Sequence, residues 1–350
     1  MPVERRGEIE RIRALVRHLP GGRGVVVGPG DDAAVLRPAA GRDLVVTTDA
    51  FVEGRHFRRD LLPPEGIGRR LAAANLSDLA AMAATPRWAL VSCGTPVDAD
   101  PAEARAIEVA CARALAAEGA AVVGGNLSAT DGPSWWSVTL VGEVARGAHW
   151  TRTGARPGDL VAVTGVPGRA AAALAIALWR NPPTRARGPR ELWTGYASPP
   201  SRVGLARALA AAGGVHAAID LSDGLAGDLA QLCAASEVGV ELEASRLPAD
   251  AALWAVARTL AADLTRERAE LLPAPERGIA EHLQLGPSDD YELLLAIEPG
   301  RFEALARIAL RSGTTLAAIG RFSGARGRRV LRRSDGGEAA LPDRGFDHFG

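Results

Sequence analysis

Three features predict a two-domain α/β or α+β architecture. The chain has 350 residues, more than a single core commonly organises at roughly 100 to 200 residues per domain. Segments with strand and helix character alternate through both halves. Residues 147–158, GAHWTRTGARPG, form a glycine- and proline-bearing connector between two strand patterns. The connector places a boundary near residue 150, with one domain over 1–148 and another over 149–350.

The elements follow in order. The β-branched run 43–48 predicts a strand, and the Ala- and Leu-rich stretch 65–83 a helix. A strand at 88–93 leads to a helix at 101–118, then a short strand at 121–123 and a polar turn. Residues 136–144 alternate as a longer strand. In the second half, 159–164 reads as a strand, 168–179 as a helix and 181–188 as a Pro/Arg-rich surface loop. The strand 215–219 runs into DLSDGLAGDL, where Ser222 or Asp223 is positioned to cap a helix reaching about residue 235. Strands at 291–297 and 315–319 flank a helix at 301–311. No solenoid period is present.

Composition excludes several classes. Hydrophobic residues make up 47% and charged residues 23%, too apolar for a disordered chain. The 41 basic and 41 acidic residues cancel, so no net field draws the chain to nucleic acid or anionic lipid. Every basic residue is Arg and none is Lys, which removes the P-loop lysine and any lysine Schiff base. Cys93, Cys111 and Cys233 form no CxxC pair, so a disulfide framework or zinc knuckle is not expected. The opening MPVERRGEIERIRALVRHL has no uncharged signal-peptide core, and the apolar stretch at 170–179 is too short to cross a bilayer. A cytoplasmic protein is expected.

Four acidic clusters carry chemistry, each with an ordinary structural reading beside it. GPGDDAAVL places Asp31 and Asp32 after a glycine turn, which alone reads equally well as a capped turn. VVTTDAFVEGRHF ends a strand with Thr47, Thr48 and Asp49 and sets Glu53 and His56 in the loop beyond, where function concentrates. In NLSDLAAMAA, Asn75 and Asp78 share a helical face at i and i+3 among small apolar residues. A carboxylate there is costly without a cation or several donors, which favours a metal-facing role. AIDLSDGL puts Asp220, Ser222 and Asp223 where a strand ends and a helix begins, a natural phosphate and cation site or an ordinary N-cap. Hard oxygen ligands from four segments suit Mg²⁺ with a nucleotide, whereas zinc would want close His or Cys ligands. The turn at 124–128 adds a glycine pair that lets backbone approach a phosphate, a weak signal alone.

The motifs GPGDDAAV, TTDAFVEGRHF, NLSDLAAMAATP, GGN, RTGARPGD, DLSDGL, DDYELL and GFDHF occur in this order from Gly28 to Phe349. In that order they resemble the thiamine-monophosphate kinase family of the aminoimidazole ribonucleotide synthetase-like superfamily. The resemblance implies a two-domain fold of that type, with an N-terminal sheet domain that forms a homodimer and a C-terminal α/β domain that completes the active site. It implies γ-phosphoryl transfer from MgATP to thiamine monophosphate without a P-loop. On this sequence it assigns Asp31, Thr47, Thr48, Asp49, Asp78, Asn126, Asp220 and Asp223 to Mg²⁺. Gly125, Asn126, Arg152 and Ser222 fall at ATP contacts, and His56, Asp289 and Phe346 where the thiamine substrate is held. No residue is assigned as acid or base: the acceptor oxygen is already ionised, and Asp49, Asp78, Asp220 and Arg152 serve by positioning.

Two positions depart from the family pattern. Gly124-Gly125-Asn126 stands where GGD is usual, exchanging a carboxylate for an amide and weakening Mg²⁺ binding. GPSDDYELL stands where GGEDYELL is usual, so Pro287 removes a donor and Asp289 is a methylene shorter than Glu. Selenophosphate synthetases carry a reactive residue near the N-terminus and the hydrogenase-maturation branch a C-terminal cysteine. Here the first cysteine is Cys93 and the last Cys233. The competing reading is a nucleotide-binding homologue that is non-catalytic or uses another acceptor.

Overall fold

The computed structural model describes residues 15–19, 21–29, 33–179, 188–267, 275–333, 336–342 and 345–346. Asp31, Asp32, most of the loop at 181–188 and the end of GFDHF lie outside them. The chain divides into two compact units. The first runs to Leu79, resumes over Ala83–His149 and includes Ala197–Val203. The second takes Ala80–Met82, Trp150–Tyr196 and the chain from Gly204.

In the first unit, β1 (Val25–Val27) and β2 (Val35–Leu36) form an antiparallel pair. After them come β3 (Arg42–Val52), α1 (Pro64–Ala81), β4 (Thr85–Thr95), α2 (Pro101–Ala117), β5 (Ala121–Ala129) and β6 (Trp135–Ala145). The sheet order is β3-β6-β4-β5. Strands β3 and β6 pair antiparallel from Arg42↔Ala145 to Val52↔Trp135. Parallel β4 and β5 are joined by the crossover helix α2, as parallel pairing requires. That helix starts as DADP dictates: the Asp100 carboxylate accepts the Ala102 N–H at 2.8 Å, and Pro101 opens the first turn. Helix α1 is rich in small and apolar residues, and between Arg70 and Leu79 every residue but Asp78 is buried. Truncating its fully buried Leu71 or Leu79 to Ala should cost about 2–5 kcal/mol.

The expected short strand at 121–123 and the glycine turn after it are corrected. Strand β5 continues to Ala129, and Gly124-Gly125-Asn126 lies inside it. A Cβ on Gly125 would sit 1.8 Å from the Val91 carbonyl oxygen of β4. The glycine therefore serves close strand pairing beside a β-bulge rather than a turn.

The second unit contains β7 (Leu160–Thr164) and α3 (Arg169–Leu178). Next in the chain are α4 (Arg190–Ala197), α5 (Val203–Ala212), β8 (Val215–Leu221), α6 (Leu225–Ser236) and β9 (Gly239–Glu243). The remainder is α7 (Ala251–Glu267), α8 (Pro275–Leu285), β10 (Glu292–Ile297), α9 (Phe302–Arg311), β11 (Leu316–Ser323), β12 (Arg329–Arg332) and β13 (Glu338–Ala340). The seven strands order as β13-β12-β9-β11-β7-β10-β8, antiparallel except for β9 with β12. The mostly antiparallel pairing makes this unit α+β. Every residue of β10 is buried, the reading expected of an interior strand covered on both faces. Val161, Val163, Ile219, Leu221, Leu294 and Phe322 belong to its core.

Among the described residues, no helix is long and apolar enough to cross a membrane.

Candidate active site

In the first unit the site is built from β3 and α1. Side chains alternate along β3, so Thr47 and Asp49 share the partly buried face while Thr48 lies on the exposed one. The Thr47 hydroxyl donates a short hydrogen bond to Asp78 Oδ2, joining a strand residue to a partly buried position near the end of α1. Thr48 does not join this pair through its side chain. Its hydroxyl meets Thr139 Oγ1 at 3.2 Å and Ser137 Oγ at 3.4 Å on β6. One turn before Asp78, Asn75 is fully buried; its Nδ2 donates to the Leu71 carbonyl at 3.1 Å, and its Oδ1 has no partner among the described residues.

His56 closes the turn after β3. Its Nδ1 accepts the Val52 N–H at 3.1 Å, its own N–H returns to the Val52 carbonyl at 2.9 Å, and its ring stacks on Phe51. An accepting Nδ1 makes this the neutral Nε2–H tautomer. Beside it, Arg59 ties Glu53 (2.7 Å), Glu103 and the buried Ser134 hydroxyl (2.9 Å) into one network. Asn126 is exposed on β5 and donates from Nδ2 to Ser128 Oγ at 2.9 Å.

In the second unit three segments converge. Asp220, buried at 3% exposure, lies one residue before the end of β8, with Ser222 and Asp223 in the turn beyond. The expected side-chain cap at Ser222 or Asp223 is corrected. The N-cap is Gly224, at φ 111° and ψ 148° without a side-chain cap bond. A Cβ there would meet the Gly286 carbonyl oxygen at 2.2 Å, which leaves glycine as the residue that fits. The turn is instead held from inside α6. Asp228 is buried at 1% exposure, and its Oδ2 accepts the N–H groups of Asp223 at 3.2 Å and Gly224 at 3.0 Å. Burial, and then the Asp223 charge, push the Asp228 carboxyl up to about 7.

The second converging segment is 286–291. Asp290 accepts the Gly168 N–H at 2.6 Å and the Ala170 N–H at 2.8 Å, while Ser288 Oγ accepts the Ala171 N–H at 3.1 Å. Together they cap α3, whose own N-cap Gly168 has no side chain to do so. Burial pushes the Asp290 carboxyl up to about 6 against those N–H groups. Asp289, beside it, is partly buried. Tyr291, expected inside the strand, precedes it: its φ of 54° is left-handed, and its N–H donates to the Leu221 carbonyl at 2.9 Å. Such strain in a non-glycine residue clusters at working sites.

The third segment is the chain's end. Phe346 is 48% exposed, and its N–H donates to the Asp223 carbonyl at 3.0 Å. Arg152 lies on the flank of α6, with Nη1 on Gln231 Oε1 at 2.7 Å and its carbonyl accepting from Ser236 Oγ at 2.8 Å.

Sequence reasoning did not single out Asp228 or Asp290. The signal was present in both cases: a glycine helix start without a capping side chain, and a carboxylate in an otherwise apolar segment. Among the described residues, no three His, Cys, Asp or Glu side chains gather as a ready metal cluster.

Residues 30–144 match the AIR synthase related protein N-terminal domain, and residues 156–331 the AIR synthase related protein C-terminal domain. The thiamine-monophosphate kinase of Synechococcus elongatus is 34% identical over 328 residues, covering 91% of each chain. This chain belongs to the thiamine-monophosphate kinase family. The solved thiamine-monophosphate kinase of Stenotrophomonas maltophilia superposes at a TM-score of 0.77 and 32% identity, covering 95% of this chain and 96% of that one. AaThiL, complexed with AMPPCP and TMP, gives a TM-score of 0.71 at 26% identity, over 100% and 99% of the two chains. The hydrogenase maturation protein HypE shares the fold at 19% identity and a TM-score of 0.72.

Proposed function

We propose that this chain, a thiamine-phosphate kinase by family membership, transfers the γ-phosphoryl group of ATP directly to the phosphate of thiamine monophosphate. The product is thiamine diphosphate. The observation that carries the reading is the full-length likeness to AaThiL, a protein solved with AMPPCP and TMP together. The acceptor is a phosphate oxygen, largely ionised near neutral pH, so no strong general base is needed. Catalysis then rests on alignment and charge neutralisation, with no phosphoenzyme.

The donors fit Mg²⁺. They are oxygens throughout, the Thr47–Asp78 pair is already formed, and the buried Asn75 Oδ1 has no partner among the described residues. Mg²⁺ takes one or two carboxylates, keeps waters and shares phosphate oxygens, so no preformed cluster of three carboxylates is required. Asp31, Thr47, Thr48, Asp49, Asp78, Asn126, Asp220 and Asp223 are the residues we assign to it, shared among several Mg²⁺ ions. When bound, Mg²⁺ supplies positive charge that offsets the repulsion between two phosphate-bearing reactants.

The chain's own groups do the positioning. Gly125 and Ser222 offer contacts to ATP, and Asn126 a neutral oxygen or amide. Arg152 is a phosphate fork once it exchanges Gln231 for phosphate oxygens. His56, Asp289 and Phe346 are assigned to thiamine monophosphate, and the exposed Phe346 ring suits stacking on an aromatic ring of the ligand.

We further assign a homodimer to an exposed apolar patch on the first unit's sheet. Leu44 and Val46 of β3 and Leu90 of β4 are large apolar side chains exposed there, at 50%, 61% and 44%. The three cysteines are free and buried, in keeping with a reducing cytoplasm. The test is thiamine diphosphate formation from ATP, Mg²⁺ and thiamine monophosphate, with free thiamine as the acceptor control. Product from the monophosphate alone is expected; ATP binding without product would turn the reading to a non-catalytic or altered-acceptor homologue.

A further inference from the structure

A cavity of about 300 Å³ opens in the first unit between the β1–β2 pair, the start of β4 and the end of β6. Among the described residues, its wall carries three arginines, Arg23, Arg37 and Arg87, against one carboxylate, Glu143. None of these residues has a part in the proposed phosphoryl transfer. Along β3, Glu143 pairs with Leu44 and Asp49 with Val138. Five residues of strand, roughly 17 Å, therefore separate the level of the cavity from the acidic site.

The arrangement is built rather than incidental. Glu143 is 3% exposed, and its two oxygens are both engaged: Oε2 by Arg87 Nε at 2.9 Å and Oε1 by the Ala39 N–H at 2.7 Å. Burial acts to raise its pKa, yet the Ala39 N–H and the Arg87 guanidinium hold it below the usual carboxylate range. Glu143 is thus ionised and saturated. It fixes Arg87 through Nε only, so the two Nη groups of Arg87 have no partner in the described residues. The backbones carrying the other two arginines are tied together: the Trp88 indole N–H donates to the Arg23 carbonyl at 2.9 Å, and the Arg37 N–H to the Gly24 carbonyl at 2.8 Å. Neither the Arg23 nor the Arg37 guanidinium meets a carboxylate among the described residues. Among the described residues the wall therefore holds three cations and one spent anion, an excess of two positive charges.

We propose that this cavity is a second anion site, taking the phosphate or diphosphate group of a small molecule. The volume lies at the lower end of small-molecule pockets and suits an anionic group with little attached. Guanidinium forks match phosphate oxygens two at a time. Trp88, at 2% exposure, is wall and not a stacking surface, so the site selects charge over ring. The inference stands apart from the kinase reading, because it uses none of the same residues.

The experiment is calorimetric titration of the full chain with inorganic pyrophosphate, in EDTA and without Mg²⁺. Under those conditions Asp49, Asp78, Asp220 and Asp223 repel an anion. The expected result is one binding event per chain. It is weakened about tenfold by Arg23→Gln or Arg37→Gln singly, and further by both, as the loss of a charged hydrogen-bonding group predicts. The surface control Arg311→Gln should bind as the unaltered chain does. The single variants carry the test if the double variant does not fold. No binding to the unaltered chain, equal binding by the arginine variants, or equal weakening by Arg311→Gln overturns the proposal. Inorganic phosphate in a parallel titration separates a monophosphate site from a diphosphate site by which of the two binds more tightly.

Discussion

The two acidic regions present similar oxygens by different means. In the first unit, Thr47, Asp49 and Asp78 project from the middle of regular elements, where the ladders of β3 and α1 fix the backbone regardless of side-chain charge. In the second, Asp220, Ser222 and Asp223 sit where β8 gives way to a turn, and that turn is shaped by another carboxylate, Asp228. A site on a ladder tolerates loss of a side chain with its geometry intact. A site on a turn does not, since its backbone depends on a buried acid. The difference predicts that substitutions in the first region affect activity alone, whereas those supporting the second affect activity and folding together.

The largest effect is expected at two of the residues we propose to hold Mg²⁺ against the phosphates. Asp78→Asn and Asp220→Asn should each lower kcat/KM by about a hundredfold or more, as loss of a group that stabilises developing charge does. Circular dichroism and thermal midpoints should show Asp78→Asn near the unaltered chain. A strongly destabilised Asp78→Asn would break the contrast.

Next comes Asp228. Replacement by Ala strands the N–H groups of Asp223 and Gly224 in a buried turn, at a cost of about 2 kcal/mol or more in urea denaturation. Asp228→Asn keeps an accepting oxygen and should lose less than half as much. Equal losses from both would mean that the side chain fills space rather than holding the turn.

Asp290 supplies the pH test. Its folded pKa of about 6 lies above the ordinary 3.8, so the folded chain holds this proton more tightly than the unfolded one. The resulting stabilisation is fully present below about pH 4 and is lost as pH rises through about 6. Asp290→Asn cannot titrate and also weakens the α3 cap. It should therefore be less stable than the unaltered chain at pH 5, and the gap should narrow by pH 8. A gap that widens with pH would show that the ionised cap is the stabilising form.

The smallest effect is sharpening in kind. Asn126→Asp restores a charge on the exposed edge of β5 and should lower the Mg²⁺ concentration for half-maximal rate several-fold, as an added carboxylate ligand does. A Mg²⁺ titration unchanged from the parent chain would remove Asn126 from the metal's surroundings.

The sequence was most legible where one physical cause dominates. The β-branched run at 43–48 located β3 and the alternation at 136–144 located β6, because side-chain period is local. Strand β5 was cut short since glycines read as a turn until the pressing Val91 carbonyl is seen across the ladder. The short strands β9, β12 and β13 carry too few residues for a period to show. The acids facing the proposed ligands were legible as types and spacings, yet their supports were not. Asp228 reaches back within its own motif, and Asp290 caps a helix that begins over a hundred residues earlier. Such partnerships are set by the tertiary fold, which leaves no periodic trace in the chain.

The measurement closest to the central claim is a single turnover with γ-labelled ATP, Mg²⁺ and thiamine monophosphate, quenched over time and separated into protein and small molecules. Label moving from ATP to thiamine diphosphate in step with ADP formation, with none on the protein, is the predicted result. Label accumulating on the protein before product, or ATP held without any label reaching thiamine diphosphate, would contradict direct transfer by positioning.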